Sequence, residues 1–233
     1  MVGKRMRPGD GPIAVLTGDL VASRDLSIAE LATVRARISE AGAVIDGWRH
    51  GLVLGLPQFF RGDSWQMALG DPGLFLRAAI GLRASVRAID TRFDTRIGIG
   101  IGRADQIDRE AVSLSVGDAF IRSGKALDDM KGAAGFRIVL PEDFASRLSL
   151  LPATVSLCAE LVDRLQPAQA EAVWLSIAPS QPAQSQVAEQ RGIKRQVVNR
   201  ALSTSGFSAL NEAANSVEAL DWRERRAPKV KLI

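Results

Sequence analysis

Apolar and polar positions alternate along this chain in an order that predicts strands and helices in turn. Residues 12–19, Pro-Ile-Ala-Val-Leu-Thr-Gly-Asp, form a short continuous apolar run ending on an acid, the pattern of a buried strand entering a loop. Ser27 with Glu30 three residues on makes a capping box. It opens a helix over 28–45, with Leu31, Val34, Ile38 and Val44 near helical spacing and Gly47 as its stop. Apolar segments at 52–60 and 65–69 flank Arg61-Gly62-Asp63, which reads as a hairpin turn with a carboxylate at its tip. Leu74, Leu76, Ile80 and Val86 predict a helix over 72–89, and Thr-Arg-Ile-Gly-Ile-Gly-Ile-Gly at 95–102 alternates as a strand. A helix over 118–130 and a strand over 136–140 precede Pro141.

The order βαββαβ predicts an α+β fold, a ferredoxin-like palm whose antiparallel sheet carries helices mainly on one face. Both acidic turns then meet at one sheet edge. Beyond Pro141 the strand signal stops, and helices are expected at 142–148, 155–165 and 168–177, with Ala-Pro-Ser-Gln-Pro at 178–182 as a connection. The expected organisation is a flexible basic N-terminus at 1–11, a palm at 12–150, an all-α helix-turn-helix domain at 151–222 and a basic tail at 223–233.

Composition narrows the chemistry. The 233 residues exceed the usual domain of ~100–150 residues, and a 46% hydrophobic content is ample for a core. A single cysteine, Cys158, the lack of a leader-like start and the lack of a run of ~20 apolar residues predict a cytoplasmic protein that does not span a membrane. With His50 as the one histidine, no His/Cys zinc cluster can form, so carboxylates must do any chemistry. His50 and Cys158 read as incidental. The formal net charge is +4, with basic residues gathered in Lys4, Arg5 and Arg7 and in Arg223, Arg225, Arg226, Lys229 and Lys231. Such ends are either solvated tips or phosphate contacts.

Residues 185–202 read Ser-Gln-Val-Ala-Glu-Gln-Arg-Gly-Ile-Lys-Arg-Gln-Val-Val-Asn-Arg-Ala-Leu. A helix-turn-helix needs a small residue at the helix crossing, a turn residue four positions on and a branched apolar residue in the second helix. Ala188, Gly192 and Val198 supply them. With Val197 and Val198 turned inward, Lys194, Arg195, Gln196, Asn199 and Arg200 would form a face suited to phosphates and base edges of double-stranded DNA. The alternative is an ordinary helical hairpin with a wet polar face. The segment over 155–220 resembles region 4 of sigma factors, with 201–220 as a packing helix, and that resemblance implies sequence-selective DNA binding.

Asp19 and Asp63 each follow a glycine just behind an apolar strand, where Gly18 and Gly62 let the backbone turn. Two carboxylates at one edge repel unless a cation joins them, and oxygen ligands favour Mg²⁺ or Mn²⁺ with a nucleoside triphosphate. The alternative is that each merely caps a turn. Three pieces resemble the SatD family: Ile-Ala-Val-Leu-Thr-Gly-Asp19-Leu-Val-Ala-Ser-Arg24, Arg61-Gly-Asp63-Ser-Trp-Gln66, and Arg96-Ile-Gly-Ile-Gly-Ile-Gly102 with Gly117-Asp-Ala-Phe. They resemble, more distantly and over 12–140, the catalytic domain of class III nucleotide cyclases. That resemblance implies two metal ions on Asp19 and Asp63, with the Leu20 carbonyl as a further ligand. The chain departs from it at Phe59, where the cyclases carry a base-reading Lys, and at Ile121 and Lys125, where they carry Asn and Arg. Lys125 offers a phosphate only a point charge in place of a guanidinium fork. Arg24 and Arg61 are further candidate phosphate contacts, and the glycine run at 98–102 reads as a strand with close backbone contacts.

The leading expectation is therefore a homodimeric DNA-binding regulator whose palm senses a metal-nucleotide or serves as a dimerisation module. The alternative is an enzyme, a nucleotide cyclase or nucleotidyltransferase using Asp19 and Asp63. A third is a palm that serves only as a dimerisation scaffold.

Overall fold

The computed structural model describes residues 11–60, 62–130 and 135–223. Arg61 and the basic ends, Arg223 excepted, lie outside the described residues. In chain order the palm comprises β1 (Ile13–Leu20), α1 (Ile28–Asp46), β2 (Val53–Phe60), β3 (Ser64–Leu69), α2 (Phe75–Arg87), β4 (Thr95–Gly102), α3 (Asp118–Asp128) and β5 (Phe136–Val139). The capping box forms as expected: the Ser27 side chain accepts from the Glu30 N–H, and the Glu30 carboxylate accepts from the Ser27 N–H at 2.9 Å. The Ser27 N–H, together with the Ser27 hydroxyl that donates to the same carboxylate at 2.8 Å, holds the Glu30 carboxyl below its ordinary range.

The sheet runs β2-β3-β1-β4-β5. Its first four strands are antiparallel neighbours, and β5 pairs with β4 in parallel. The expected sheet was wholly antiparallel; α3 acts as a crossover, so the strand after it must run alongside β4 in the same sense. The side chains Ala14, Leu16 and Leu20 of β1 and Ile97, Ile99 and Ile101 of β4 join Val34, Ile38 and Ile45 of α1 and the apolar side of α2 in one core. Ile13, Val15 and Ala68 point to the other face, where Ala119 and Phe120 of α3 cover them. Helices thus lie on both faces. The reason is the glycine run: a Cβ on Gly100 would fall 2.1 Å from the Ala119 carbonyl oxygen, and one on Gly98 would fall 2.4 Å from the Ser123 carbonyl oxygen. Without those side chains the α3 backbone rests directly on β4.

The C-terminal part is helical throughout its described residues: α4 (Glu142–Arg147), α5 (Leu151–Asp163), α6 (Pro167–Ser176), α7 (Gln184–Arg191), α8 (Arg195–Thr204) and α9 (Phe207–Glu218). Composition changes near residue 150, but packing does not: Val155, Val162, Val173, Val198, Leu210 and Trp222 belong to the same core as α1 and α2. The two parts are joined by arginines on α2. Arg77, 1% exposed, donates to the Ile177 carbonyl at 2.7 Å and to the Asn211 side chain at 3.0 Å. The expected packing helix over 201–220 divides at Ser205-Gly206, giving the end of α8 and the whole of α9.

Candidate functional site

Strand register builds the acidic edge. Asp19 ends β1 opposite Ser64 of β3 on one side and Arg96 of β4 on the other. The Leu20 N–H donates to the Asp63 carbonyl at 3.2 Å, so the hairpin turn closes onto the residue after Asp19. Gly62 takes φ +90°, a value a side chain would resist, and this lets the turn present Asp63 beside β1. Arg35 of α1 donates to the Gly62 carbonyl and stacks over the Phe59 ring at 5.6 Å, fixing the hairpin from the helical side. Asp63 accepts from the Ser23 hydroxyl, which belongs to the short helical turn Ser23–Asp25 after β1.

Asp19 does not stand free. Arg96 donates from Nε to one carboxylate oxygen at 2.7 Å and from a terminal nitrogen to the other, in the two-pronged geometry of a guanidinium–carboxylate pair. Arg96 opens the Arg-Ile-Gly-Ile-Gly-Ile-Gly motif, whose residue pattern by itself assigns it no role. Strand alternation was the signal available, since Arg96 must share a sheet face with Gly98 and Gly100. The expected phosphate contacts are less gathered. Arg24 is exposed in the turn after β1 and makes no hydrogen bond or ion pair among the described residues. Lys125 is exposed in the last turn of α3, with no such partner on the acidic edge. Ile121 is 69% exposed.

The donor set is of the right kind for a hard divalent cation: carboxylate oxygens of Asp19 and Asp63, with the Leu20 carbonyl in the same stretch. A positive group, Arg96, already neutralises Asp19, so the edge is arranged around a cation, and a metal would have to displace that guanidinium. Among the described residues no group of three or more His, Cys, Asp or Glu side chains gathers as a fuller metal cluster. No helix among them is long and apolar enough to cross a membrane.

At the other end of the chain, α7 and α8 meet across Gly192, at φ +63°, with Ala188 and Val198 buried. Lys194, Arg195, Gln196, Asn199 and Arg200 are all exposed. Val197, expected to point inward, is 52% exposed, because α8 turns only the Val198 and Leu202 side into the core.

Two solved structures to which this chain is similar are nucleotide cyclases. One is the guanylyl cyclase Cya2, with TM-score 0.43 and 19% identity over 63% of this chain and 80% of that one. Another is a bacterial light-regulated adenylyl cyclase, with TM-score 0.38 and 18% identity over 57% of this chain and 44% of that one. No protein-family model matches the chain, and no curated protein matches it. The expectation of a DNA-binding regulator is corrected here: both neighbours carry the description of the alternative, a nucleotide cyclase.

Proposed function

We propose that the palm binds a nucleoside triphosphate with Mg²⁺ or Mn²⁺ on Asp19 and Asp63 and acts as a nucleotide cyclase or nucleotidyltransferase. The observation that supports this reading is the register joining β1, β3 and β4, which brings the Asp63 turn onto the end of β1 while Asp19 carries a cationic partner. A bound divalent ion would neutralise phosphate oxygens and ease attack at phosphorus. Asp19 and Asp63 would hold that ion. Arg96, released from Asp19, has a fork suited to a phosphate, and Arg24, exposed in the turn after β1 and without a partner among the described residues, is a further candidate contact. Lys125 and Arg61 belong to the same proposal as outer phosphate contacts. Phe59 offers no hydrogen bond to a base edge, so discrimination between bases must come from other groups. The exposed apolar side chains Leu114, Val116 and Ile121 favour a homodimer as part of this reading, and light scattering of the 25.0 kDa chain tests it.

The deciding experiment incubates pure protein with ATP and, separately, GTP in the presence of Mn²⁺ and follows pyrophosphate and nucleotide product by chromatography. Product that disappears in Asp63→Asn is the expected result. Product formed equally by that variant, or none formed by the wild type, refutes the enzymatic reading.

A further inference from the structure

The three residues that open β4 each hold a different atom of the acidic edge. The Asp94 carbonyl, just before the strand, accepts the Val21 N–H at 2.9 Å. The Thr95 hydroxyl donates to the Asp19 carbonyl at 2.8 Å and accepts the Trp65 indole N–H at 2.9 Å. Arg96 holds the Asp19 carboxylate. Residues 19 and 21 are thus tied from the β4 side, while Leu20 between them is tied to Asp63 from the β3 side. A sheet ladder supplies backbone bonds along any pair of strands. It does not supply a buried hydroxyl bridging the carbonyl of the acidic residue to an indole from the opposite neighbour.

Asp94 is itself anchored by charge. Its Oδ1 accepts from the Thr95 N–H at 2.8 Å and from Arg83 Nε at 2.7 Å. Its Oδ2 accepts from Arg83 at 2.7 Å and from Arg87 at 2.9 Å. Arg83 is fully buried and reaches past Asp94 to α5, donating to the Asp163 carboxylate at 2.7 Å and to the Ala159 carbonyl at 2.8 Å. Arg87 donates to the Asp163 carbonyl at 2.5 Å. Two arginines of α2 are balanced by one aspartate at the acidic edge and one on the helical layer. Burial works against the Arg83 charge, but its bond to Asp94 and the charges of Asp94 and Asp163 outweigh that and raise its pKa. The chain Asp163, Arg83, Asp94, Thr95, Asp19 is continuous in hydrogen bonds.

From this geometry we infer that Asp94 and Thr95 are positioning residues for the metal-nucleotide edge, and that Asp163 is where the C-terminal helical layer sets their position. The inference rests on the proposed metal-nucleotide reading of Asp19 and Asp63. It assigns the helical layer a part in the palm's chemistry: a shift of α5 moves the arginines, and through Asp94 and Thr95 it moves the backbone that carries Asp19.

The test titrates Mn²⁺ with the full chain in the presence of ATP, and in parallel GTP, reading free Mn²⁺ by electron paramagnetic resonance. Thr95→Val keeps the side-chain shape and removes the hydroxyl; Thr95→Ser restores it. Expected is a loss in affinity of about tenfold for Thr95→Val, the size of one well-made hydrogen bond, and recovery in Thr95→Ser. Asp163→Asn changes a side chain that is 52% exposed and touches nothing on the acidic edge. It should weaken binding roughly three- to tenfold, the range of couplings carried through packed hydrogen-bond chains. Its melting temperature in EDTA should fall by only a few degrees, because the amide oxygen still accepts from Arg83 and Asp94 keeps the buried charge paired. Should Thr95→Val fail to fold, Asp163→Asn decides alone. Wild-type affinity in Thr95→Val overturns the positioning role, and wild-type affinity in Asp163→Asn overturns the tie to the helical layer. A wild type that binds no Mn²⁺ with either nucleotide instead overturns the reading on which both rest.

Discussion

Arg96 grips Asp19 by both carboxylate oxygens because the two residues are register partners on the adjacent antiparallel strands β4 and β1. Their side chains are about four-fifths buried, at 20% and 17% exposure, so the pair is more than a surface contact. A metal that binds Asp19 must first compete with this guanidinium. Arg96→Ala should therefore raise the affinity for Mn²⁺ without nucleotide, by about fivefold if the pair is worth about 1 kcal/mol. The same variant should weaken Mn²⁺ binding when ATP is present, because the freed guanidinium no longer meets the phosphates. Calorimetric titration with and without ATP measures both. Movement in the same direction in the two titrations would mean that Arg96 is only a structural counter-ion.

Gly100 offers a test of the second helical layer. Its missing side chain is the space occupied by the backbone of α3, with Ser123 N at 2.4 Å and the Ala119 carbonyl oxygen at 2.1 Å from where a Cβ would stand. Backbone atoms cannot rotate away, so Gly100→Ala must push α3 off the sheet. The expected cost is about 3 kcal/mol, at the upper end of overpacking effects, lowering the melting temperature by about 10 °C in a chain of this size. Gly124→Ala on the same helix meets nothing within 4 Å and serves as the control, with no loss of stability. Equal melting temperatures for the two variants would contradict the close approach of α3 to β4.

Much of the palm was legible because its signals are local. The Ser27 and Glu30 capping box, the Gly62 turn and the 95–102 alternation each depend on neighbours within a few residues, and each marks an observed element. What stayed hidden depends on contacts far apart in the chain. Arg77, Arg83 and Arg87 on α2 received no role from the sequence, yet all three are buried, because α5, α9 and the end of α6 supply carbonyls, amides and carboxylates from residues 159–218. A periodicity argument places charge outward and cannot know that partners will arrive. The acidic edge divided along the same line. Asp19 and Asp63 announced themselves through their glycines, whereas the grip of Arg96 and the bridge by Thr95 follow from strand register. Likewise Ala188 and Gly192 correctly marked a tight helical turn, but a turn between two helices carries no function by itself.

Alkaline stability should report on Cys158. The thiol lies in the core, and burial pushes its pKa up to about 11 from an ordinary 9.0. Burial penalises the thiolate, so the folded chain keeps its proton while the unfolded chain releases it. The contribution is complete below pH 9 and is lost as pH rises toward 11. A shift of this size is worth about 2 kcal/mol at most of its range, allowing for partial burial. Urea midpoints measured from pH 8 to pH 11 should fall more steeply for the wild type than for Cys158→Ala, although that variant starts lower because it leaves a small cavity. Parallel pH curves would show that the thiol titrates freely and is not held in the core.

The last prediction concerns how the palm and the helical layer unfold. Trp65 of β3 and Trp174 of α6 belong to one core, and Trp174 lies against Gly81 of α2, at 3.0 Å from where a Cβ would stand. Between them Arg77 spans the boundary, bonded to the Ile177 carbonyl, Asn211 and Asn215. If that shared core is what holds both parts, they must melt together. Variants keeping only Trp65 or only Trp174 as the fluorophore should give superimposable urea transitions, the signature of a single cooperative unit. Burial already works against the Arg77 charge and lowers its pKa, so its partners must compensate for that loss of hydration. Arg77→Leu removes the charge but strands the Ile177 carbonyl and two amides, a change expected to cost about 3 kcal/mol or more. In that background the two transitions should separate, with Trp174 reporting the earlier one, because α6 and α9 lose their anchor while the sheet keeps its own core. Separate transitions in the wild type would show instead that the chain is two units that merely touch. Coincident transitions in Arg77→Leu would show that apolar packing alone, without the arginine clamp, makes them one.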